Sequence, residues 1–320
     1  MKYMNQENKI YDDAIDVKGL AVAIWSSKTF IIFLTLISSV VGVTYSLALP
    51  NKYISSSLLS PVSQQGVNNS LGSASSLASM AGISIPMESQ NKLQMSIEIL
   101  ESKDFFQEFY DDEEFLIELM AAKSFNSNTK VLNIDSEIYD VSAAKWVRVS
   151  PLGPKPTLLE AHKVFKKIFT ISLDKETSFT QISIEHISPE TAFNMVSRVI
   201  NSINLNMRTQ DAEEAKISLN YLYAELEKNN ISSTKLAITA LIEEEIKNLM
   251  LAEVTKDYVF KIIDSPRMPE LKSSPSRAAI CIIFFIFGFI FSSFTVIALF
   301  VADKRIVLGF LPPKIKIQEI

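Results

Sequence analysis

Two long apolar segments near the two ends of the 320-residue chain constrain its fold more than any other feature. Residues 29–49 and 278–301 contain no charged side chain. At a rise of about 1.5 Å per residue, each would form a helix of roughly 31–36 Å, enough to cross a hydrocarbon core of about 30 Å. A cleaved signal peptide has a shorter apolar region, and a core helix of a soluble protein is rarely apolar on every side. We therefore predict two transmembrane helices, 29–49 and 278–301.

The basic residues around the first segment predict the orientation. The lysines closest before it are Lys9, Lys18 and Lys28, whereas only Lys52 lies in the twenty residues after it. The second segment has basic residues on both sides and therefore does not indicate an orientation. We expect cytoplasmic tails at 1–28 and 302–320 and a domain at 50–277 on the far side. In a bacterium these compartments are the cytoplasm, the inner membrane and the periplasm.

The composition of residues 50–277 excludes some partners and some stabilising devices. This region has 23 basic and 30 acidic residues, a net charge of −7. Because a nucleic-acid partner needs a clustered basic face, we expect none. Cys281, the single cysteine, lies in the second apolar segment, so no intrachain disulfide can form. The domain must therefore be stabilised by its core or by assembly.

Hydrophobic periodicity and capping signals predict a mixed α/β domain before residue 188. Residues 63–86, rich in Ser, Gly, Asn and Ala, are expected to form a flexible loop or a small docked helix. Ser102 is placed to restart a helix in the middle of 93–120, and Thr157 with Glu160 fits a capping box. The predicted elements are a strand at 52–61, helix at 93–120, a hairpin around 145–149, helix to about 167, and strands at 168–173 and 179–186.

The longest predicted element is a helix at 189–228. Ser188 and Pro189 form a helix start, and an apolar stripe that includes Leu219 and Leu222 continues without glycine or proline. About 40 residues of helix would be roughly 60 Å long. We predict a turn at 229–234, a return helix at 233–254 and a strand at 258–263.

These elements predict a membrane-anchored α/β protein. Two transmembrane helices flank a periplasmic mixed α/β base, which carries a long protruding helical hairpin at about 189–255. The strands next to the two spans are expected to pair in one sheet. Such a helix is expected to pack on its own return helix or on a neighbouring molecule, and because it exceeds the return helix in length, part of it is expected to lack a mate within the chain.

The chain lacks the common catalytic patterns. It has no phosphate-loop motif and no serine in a nucleophile elbow. His162 and His186 have no metal-ligand spacing, and we interpret both as surface residues. The acidic runs 111–114 and 243–245 are interpreted as solvated helix faces. We predict a protein that is not an enzyme and that has no cofactor and no metal site.

Small residues recur at four-residue spacing in both apolar segments. Ser38, Gly42 and Ser46 share one face of the first, and Gly288 and Ser292 share one face of the second. Such spacing allows close approach of helices in lipid. The alternative is that these small residues face lipid without a partner.

Several stretches resemble the Wzz-type chain length determinants, a family of bacterial polysaccharide co-polymerases. The similar stretches are 12–17, 20–28, 77–83, 241–253, 258–264 and the proline-rich approach to the second span, with Pro266, Pro269, Ser274, Pro275, Arg277 and then Gly288. Members of the family commonly have a second small residue four positions beyond that glycine, and here it is Ser292 rather than a glycine.

The resemblance implies a non-enzymatic regulator that sets the modal number of repeats added to O-antigen of lipopolysaccharide by a Wzy-type polymerase. It implies a ring-like homo-oligomer that contacts the polymerase, lipid-linked polysaccharide and the membrane. The alternative is an inner-membrane subunit of a capsule or exopolysaccharide export complex. A two-span sensor would need a cytoplasmic output domain, for which residues 302–320 leave no room. The residues predicted to contribute helix packing or partner contacts are Ser38, Gly42, Ser46, Leu219, Leu222, Pro266, Pro269, Pro275, Gly288 and Ser292.

Overall fold

The computed structural model describes residues 24–62, 88–229 and 231–301. The helices in chain order are α1 (Lys28–Ala48), α2 (Glu88–Glu101), α3 (Lys103–Asp111), α4 (Glu113–Ala121), α5 (Leu158–Ile168), α6 (Pro189–Lys228), α7 (Ser232–Val254) and α8 (Arg277–Val301). The strands are β1 (Tyr53–Pro61), β2 (Ala122–Asn126), β3 (Val131–Ile134), β4 (Tyr139–Asp140), β5 (Lys145–Trp146), β6 (Phe169–Leu173), β7 (Thr180–His186) and β8 (Phe260–Asp264). The predicted loop or helix at 63–86 and the family-like stretches 12–17 and 77–83 lie outside the described residues.

The chain divides into two compact units. One comprises Met1–Pro50 with Pro275–Ile320 and contains α1 and α8, and the other is Asn51–Ser274. Helices dominate, strands form small sheets, and α6 is the longest helix. The predicted mixed α/β fold with two candidate membrane helices and a long helix is thereby confirmed.

The main sheet of the larger unit has the strand order β6-β7-β1-β8, with every neighbouring pair antiparallel. The predicted pairing of the first and last strands is confirmed, because β1 pairs with β8 as well as β7. The register of the β1–β8 pair shifts between Leu58 and Leu59. Ser57 Oγ donates to the Asp264 carbonyl at 2.7 Å, and Ser55 Oγ donates to the Arg267 carbonyl at 2.9 Å. The buried hydroxyls of Ser57 and Ser55 therefore supply donors to two backbone carbonyls, that of Asp264 at the register shift and that of Arg267 after the end of β8.

Apolar side chains from helices and strands form the core of the larger unit. Its centre is an aromatic cluster of α3, α4 and α5, and its members are Phe105, Phe106, Phe109, Phe115 and Phe165. Phe165 has ring-centroid distances of 5.1 Å to Phe106 and 4.9 Å to Phe169, the first residue of β6. The first half of α6 lies against the same core.

Side-chain caps set the helix boundaries. Ser102 accepts from the Phe105 N–H, and Thr157 with Glu160 forms a capping box, so both predicted starts are confirmed. The helical stretch at 93–120 has a second break that was not predicted, at Asp112. Its carboxylate accepts from the N–H groups of Glu114 and Phe115 and starts α4.

The predicted hairpin around 145–149 is only partly correct. Its strand β5 ends at Trp146 and pairs with β4, which the sequence analysis did not identify. Asp140 accepts from the N–H groups of Ser142 and Ala143, so an Asx turn connects the two strands. The hairpin β2–β3 was also missed.

Candidate functional site: the helical hairpin and the apolar helix pair

Helices α6 and α7 pack against each other through a small apolar cluster. Leu219 of α6 is buried with Ile238 and Ile242 of α7, and Leu222, Leu226 and Leu249 flank this cluster. The structure thus places Leu219 and Leu222, two predicted contact residues, on the intrachain face of the hairpin.

A buried asparagine fixes the root of the hairpin to the last strand. Asn204 Oδ1 accepts from the N–H groups of Val259 and Phe260, both at 2.9 Å, and Nδ2 donates to the Phe260 carbonyl at 3.0 Å. Ile203 and Met207, on the same stretch of α6, are buried in the core. Since a buried amide needs hydrogen-bond partners, Asn204 specifies where α6 meets the start of β8. The sequence analysis missed this residue, although a polar side chain beside an apolar stripe was the available signal.

The outer faces of the hairpin expose large apolar side chains to solvent. Ile217 and Tyr221, one helical turn apart on α6, are 70% and 68% exposed, and Leu236 of α7 is 74% exposed. Met250 and Val254 of α7 are exposed as well. The neighbouring side chains Ile217 and Tyr221 therefore form a candidate interaction surface on α6.

A polar interlock holds the start of α6, and it overturns the interpretation of His186 as a surface residue. The ring is buried: Nδ1 accepts from the Ser188 N–H at 3.1 Å, and Nε2 lies 3.1 Å from the Glu118 carbonyl. These partners require the neutral tautomer with the proton on Nε2. Burial lowers the pKa of His186, because the charged ring would lose its hydration.

Glu118 lies in the same interlock. Its carboxylate accepts from the Thr191 hydroxyl at 3.2 Å, in the first turn of α6. Burial raises the pKa of Glu118, and the acidic neighbours Glu114 and Asp112 add to the rise, while Thr191 and Arg198 oppose it. The start of the long helix therefore meets one buried and one half-buried titratable group, His186 and Glu118, whose charged forms are both disfavoured.

His162 is also buried, so its interpretation as a surface residue is wrong. Its Nε2 lies 3.0 Å from the Glu101 carbonyl, and its ring centroid lies 5.4 Å from that of Phe106. The imidazole packs on the aromatic cluster and meets a carbonyl at the carboxyl end of α2.

The acidic run 111–114 is not a simple solvated face. Besides capping α4, Asp112 accepts from Arg198 at 2.6 Å, and the Arg198 guanidinium lies 5.3 Å from the centre of the Phe115 ring. Burial acts to raise the pKa of Asp112, but the bonds from Arg198 and from the helix N–H groups outweigh it and lower this pKa. The run therefore joins α4 to the long helix.

One carboxylate holds together the two chain ends of the larger unit. Glu185 of β7 accepts from Lys52 Nζ at 3.0 Å and from the Ser274 hydroxyl at 2.6 Å. The backbone N–H of Lys52 also donates to the Ser274 carbonyl at 2.9 Å. Burial opposes ionisation of Glu185, yet these hydrogen bonds lower its pKa. The entry and exit of the unit are thus fixed at one point, which the sequence analysis did not identify.

The helices α1 and α8 approach closely where the small residues lie. A Cβ atom added at Gly288 would lie 2.6 Å from Ser38 Cβ, and one added at Gly42 would lie 2.6 Å from Phe284 Cβ. The Ser38 hydroxyl donates to the Phe284 carbonyl at 2.7 Å. Small side chains and an interhelical hydrogen bond thus characterise this contact, which we call the apolar helix pair.

The remaining predicted residues differ in their surroundings. Ser46 and Ser292 are buried, and the Ser292 hydroxyl donates to the Phe289 carbonyl of its own helix at 3.0 Å. Pro266 and Pro269 follow β8 and are half-buried, and Pro275 precedes α8. A contact of these residues with another molecule stays a prediction.

Both α1 and α8 are long and apolar enough to cross a membrane. The qualifying segments are Lys28–Ala48 and Arg277–Leu299, with mean hydropathies of 2.1 and 2.7. In the part of the chain that the structure describes, no group of three or more His, Cys, Asp or Glu residues is placed to hold a metal ion.

Comparisons with known proteins give the following matches. Residues 13–113 match the family model described as Wzz, chain length determinant protein. No curated protein matches the chain. Among solved structures, it is similar to a full-length bacterial polysaccharide co-polymerase at 13% identity and a TM-score of 0.39, covering 91% of this chain and 98% of that chain. It is also similar to a fragment of WzzB, a polysaccharide co-polymerase from Salmonella Typhimurium, at 13% identity and a TM-score of 0.29, covering 70% and 100%. The resemblance to the Wzz chain length determinant family is thereby confirmed by the family match over residues 13–113.

Proposed function

We propose that this protein regulates polysaccharide chain length without catalysing a reaction, by setting the modal number of repeats that a Wzy-type polymerase adds to O-antigen. The observation that carries the proposal is the match of residues 13–113 to the chain length determinant model. Lipid-linked polysaccharide and the polymerase are the proposed partners.

The proposed location is the bacterial inner membrane, with both termini cytoplasmic and residues 50–277 periplasmic. Two helices of sufficient length and hydropathy support this topology, as does the lysine bias before the first of them. In this arrangement the hairpin of α6 and α7 lies on the periplasmic side.

The proposed working form is a ring-like homo-oligomer. Ile217, Tyr221 and Leu236 support it, because these exposed side chains would be buried by a neighbouring copy. Packing of α6 on α7 leaves the outer face of each helix available for such a contact.

A deletion strain tests the proposal. Because a length regulator is not required for polymerisation, the strain should still make polymer but lose its preferred length on a lipopolysaccharide gel. The gene supplied on a plasmid should restore the length distribution. Unchanged modal length in the deletion strain would contradict the proposal, and loss of all polymer beyond one repeat would instead indicate a polymerase or an export role.

A further inference from the structure

The first turn of α6 is attached to the rest of the larger unit through His186, the last residue of β7. The ring is 6% exposed. Its Nδ1 accepts from the Ser188 N–H at 3.1 Å, and its Nε2 donates to the Glu118 carbonyl of α4, also at 3.1 Å. The Ser188 hydroxyl in turn accepts from the Thr191 N–H at 3.2 Å and so caps α6. One imidazole therefore joins β7, α4 and the cap of the longest helix.

The carboxylates of the two helices beside His186 have other surroundings. Glu118 of α4 accepts from the Thr191 hydroxyl at 3.2 Å. Glu114, one turn earlier on α4, and Glu190, in the first turn of α6, are exposed. In the described part of the chain, none of these carboxylates is hydrogen-bonded to the imidazole.

The strands beside His186 direct their charged groups elsewhere. Glu185, the preceding residue of β7, faces the other side of the sheet because strand residues alternate, and there it bonds to Lys52 and Ser274. Tyr53 of β1 is the cross-strand neighbour of His186 and carries no permanent charge. A protonated imidazole at this position would thus lose its hydration without gaining an ion pair.

The bonding pattern accepts only the neutral imidazole. A second proton would occupy Nδ1 and oppose the Ser188 N–H, so that two donors would face each other. The positive charge would also lie at the amino end of α6, where the helix dipole favours negative charge. Burial lowers the pKa of His186 and acts in the same direction. Uptake of a proton by this ring therefore requires the start of α6 to move away from it.

We propose that the contacts of His186 with Ser188 and Glu118 form a proton-sensitive joint, in which protonation of His186 releases the first turn of α6. The release is local, because Asn204 holds the helix to the backbone of Phe260 through an amide that does not titrate. In the proposed periplasmic location the joint experiences the external pH, since outer-membrane channels pass water and small ions. The regulatory consequence rests on the proposed function: acid alters the attachment of the hairpin, and with it the modal polysaccharide length.

Hydrogen exchange of the full-length protein in detergent at pH 7.5 and 5.5, corrected for the intrinsic pH dependence of exchange, tests the joint. Protection of the first turn of α6 should fall on acidification by up to about tenfold, the limit for an imidazole that titrates at about pH 6.5 once released. Protection around Asn204 should not change, and His186→Gln, which cannot titrate, should abolish the fall. His162→Gln is the matched control and should show the wild-type fall, because His162 is also buried but its partners are Glu101 of α2 and Phe106 of α3.

Nitrogen-15 NMR of histidine-labelled wild-type protein gives a second readout, which does not depend on the folding of a variant at position 186. The chain contains two histidines, so the signal that His162→Gln retains belongs to His186. At pH 7.5 this ring should be neutral with its proton on Nε2. Its conversion to the doubly protonated ring should follow the loss of protection in α6. A ring that is charged at pH 7.5, or that carries its neutral proton on Nδ1, would contradict the proposal.

Unchanged protection of the wild type, or an equal fall in His186→Gln, would overturn the joint. If His186→Gln does not fold, opening of α6 that does not follow the protonation of His186 in the wild type would overturn it as well. In cells, the wild type should change its modal length between media of pH 7.5 and 5.5 and the His186→Gln strain should not. An unchanged wild-type length would overturn the regulatory role. A wild-type modal length in the deletion strain would contradict the proposed function instead, and the exchange measurement on purified protein would still decide the joint.

Discussion

The hairpin and the apolar helix pair solve the same packing problem with different interactions. The hairpin joins α6 to α7 through aliphatic side chains such as Leu219 and Ile238. The pair joins α1 to α8 at Gly42 and Gly288, with a hydrogen bond from Ser38. In water, burial of apolar area drives helix association, whereas lipid provides no such drive and close backbone approach takes its place.

The exposed apolar side chains of the two helix pairs differ in what they are suited to contact. On α1 and α8, side chains such as Phe33 and Phe287 are suited to face lipid if these helices span a membrane. On the hairpin, Ile217 and Leu236 are similarly exposed, but the described residues of their unit contain no such span. The hairpin side chains are therefore the ones that the proposed homo-oligomer would bury.

The largest expected effect separates packing within the hairpin from packing between copies. Leu219→Glu removes a buried leucine and places a carboxylate against Ile238 and Ile242. Loss of the leucine alone costs on the order of 2–5 kcal/mol, and the carboxylate adds to this. Hydrogen exchange should accelerate around the cluster in α6 and α7, while the aromatic core keeps its protection.

Ile217→Glu is the matched control, because it introduces the same charge on the exposed face of α6. It should leave hydrogen exchange around the contact between α6 and α7 unchanged. It should reduce the oligomer mass measured by light scattering. If both variants form normal oligomers at unchanged stability, the hairpin does not contribute a contact to the proposed oligomer.

A smaller effect is expected when bulk is added to the apolar helix pair. In Gly288→Leu the new side chain meets Ser38 and the backbone of Thr35 at once, so α1 and α8 must separate. Overpacking of this kind costs typically about 1–3 kcal/mol. Thermal unfolding in detergent should shift downward, and modal polysaccharide length should change at matched protein levels.

Ala298→Leu provides the control, because Ala298 is an exposed small residue of the same helix. It should insert and unfold as the wild type does. If Gly288→Leu also retains wild-type stability and polysaccharide length, the small residues are only lipid-facing, and the packing role proposed for them is wrong.

Local signals in the sequence predicted α6 well and its anchoring poorly. The helix occupies the predicted 189–228, since Ser188 caps it, Pro189 fits its first turn and no residue before Asn229 interrupts it. The anchors depend on partners distant in sequence: Asn204 bonds to Phe260, and His186 bonds to the Glu118 carbonyl. The apolar stripe beside Asn204 indicates burial of that residue, but no local pattern identifies the distant partners of Asn204 or His186, which only the tertiary structure brings together.

The smallest expected effect is a difference in pH dependence between the hairpin and the apolar helix pair. The pKa of His186 is lowered by burial, so its contribution to stability is complete above about pH 6.5, the unfolded value, and is lost as pH falls through the lower folded value. Protonation of Nδ1 also removes the acceptor for the Ser188 N–H at the start of α6. The raised pKa of Glu118 acts in the opposite direction, because its neutral form is favoured in the fold as pH falls. The pKa values of Asp112 and Glu185 are lowered in the fold, so the stability that these two carboxylates contribute is lost only in more acidic solution.

Thermal unfolding at pH 7.5 and 5.5 isolates the histidine when the wild type is compared with His186→Gln. Glutamine retains a donor and an acceptor but does not titrate, so the wild type should lose more stability on acidification than the variant. Glu118→Gln in both backgrounds removes the opposing carboxylate and should enlarge the loss seen with His186 present. The Ser38 hydroxyl and the Phe284 carbonyl do not titrate in this range, so the apolar helix pair should respond to Gly288→Leu equally at both pH values. Equal losses of stability on acidification in the wild type and in His186→Gln would show that protonation of His186 does not destabilise the start of α6. The two helix pairs would then differ in packing chemistry alone.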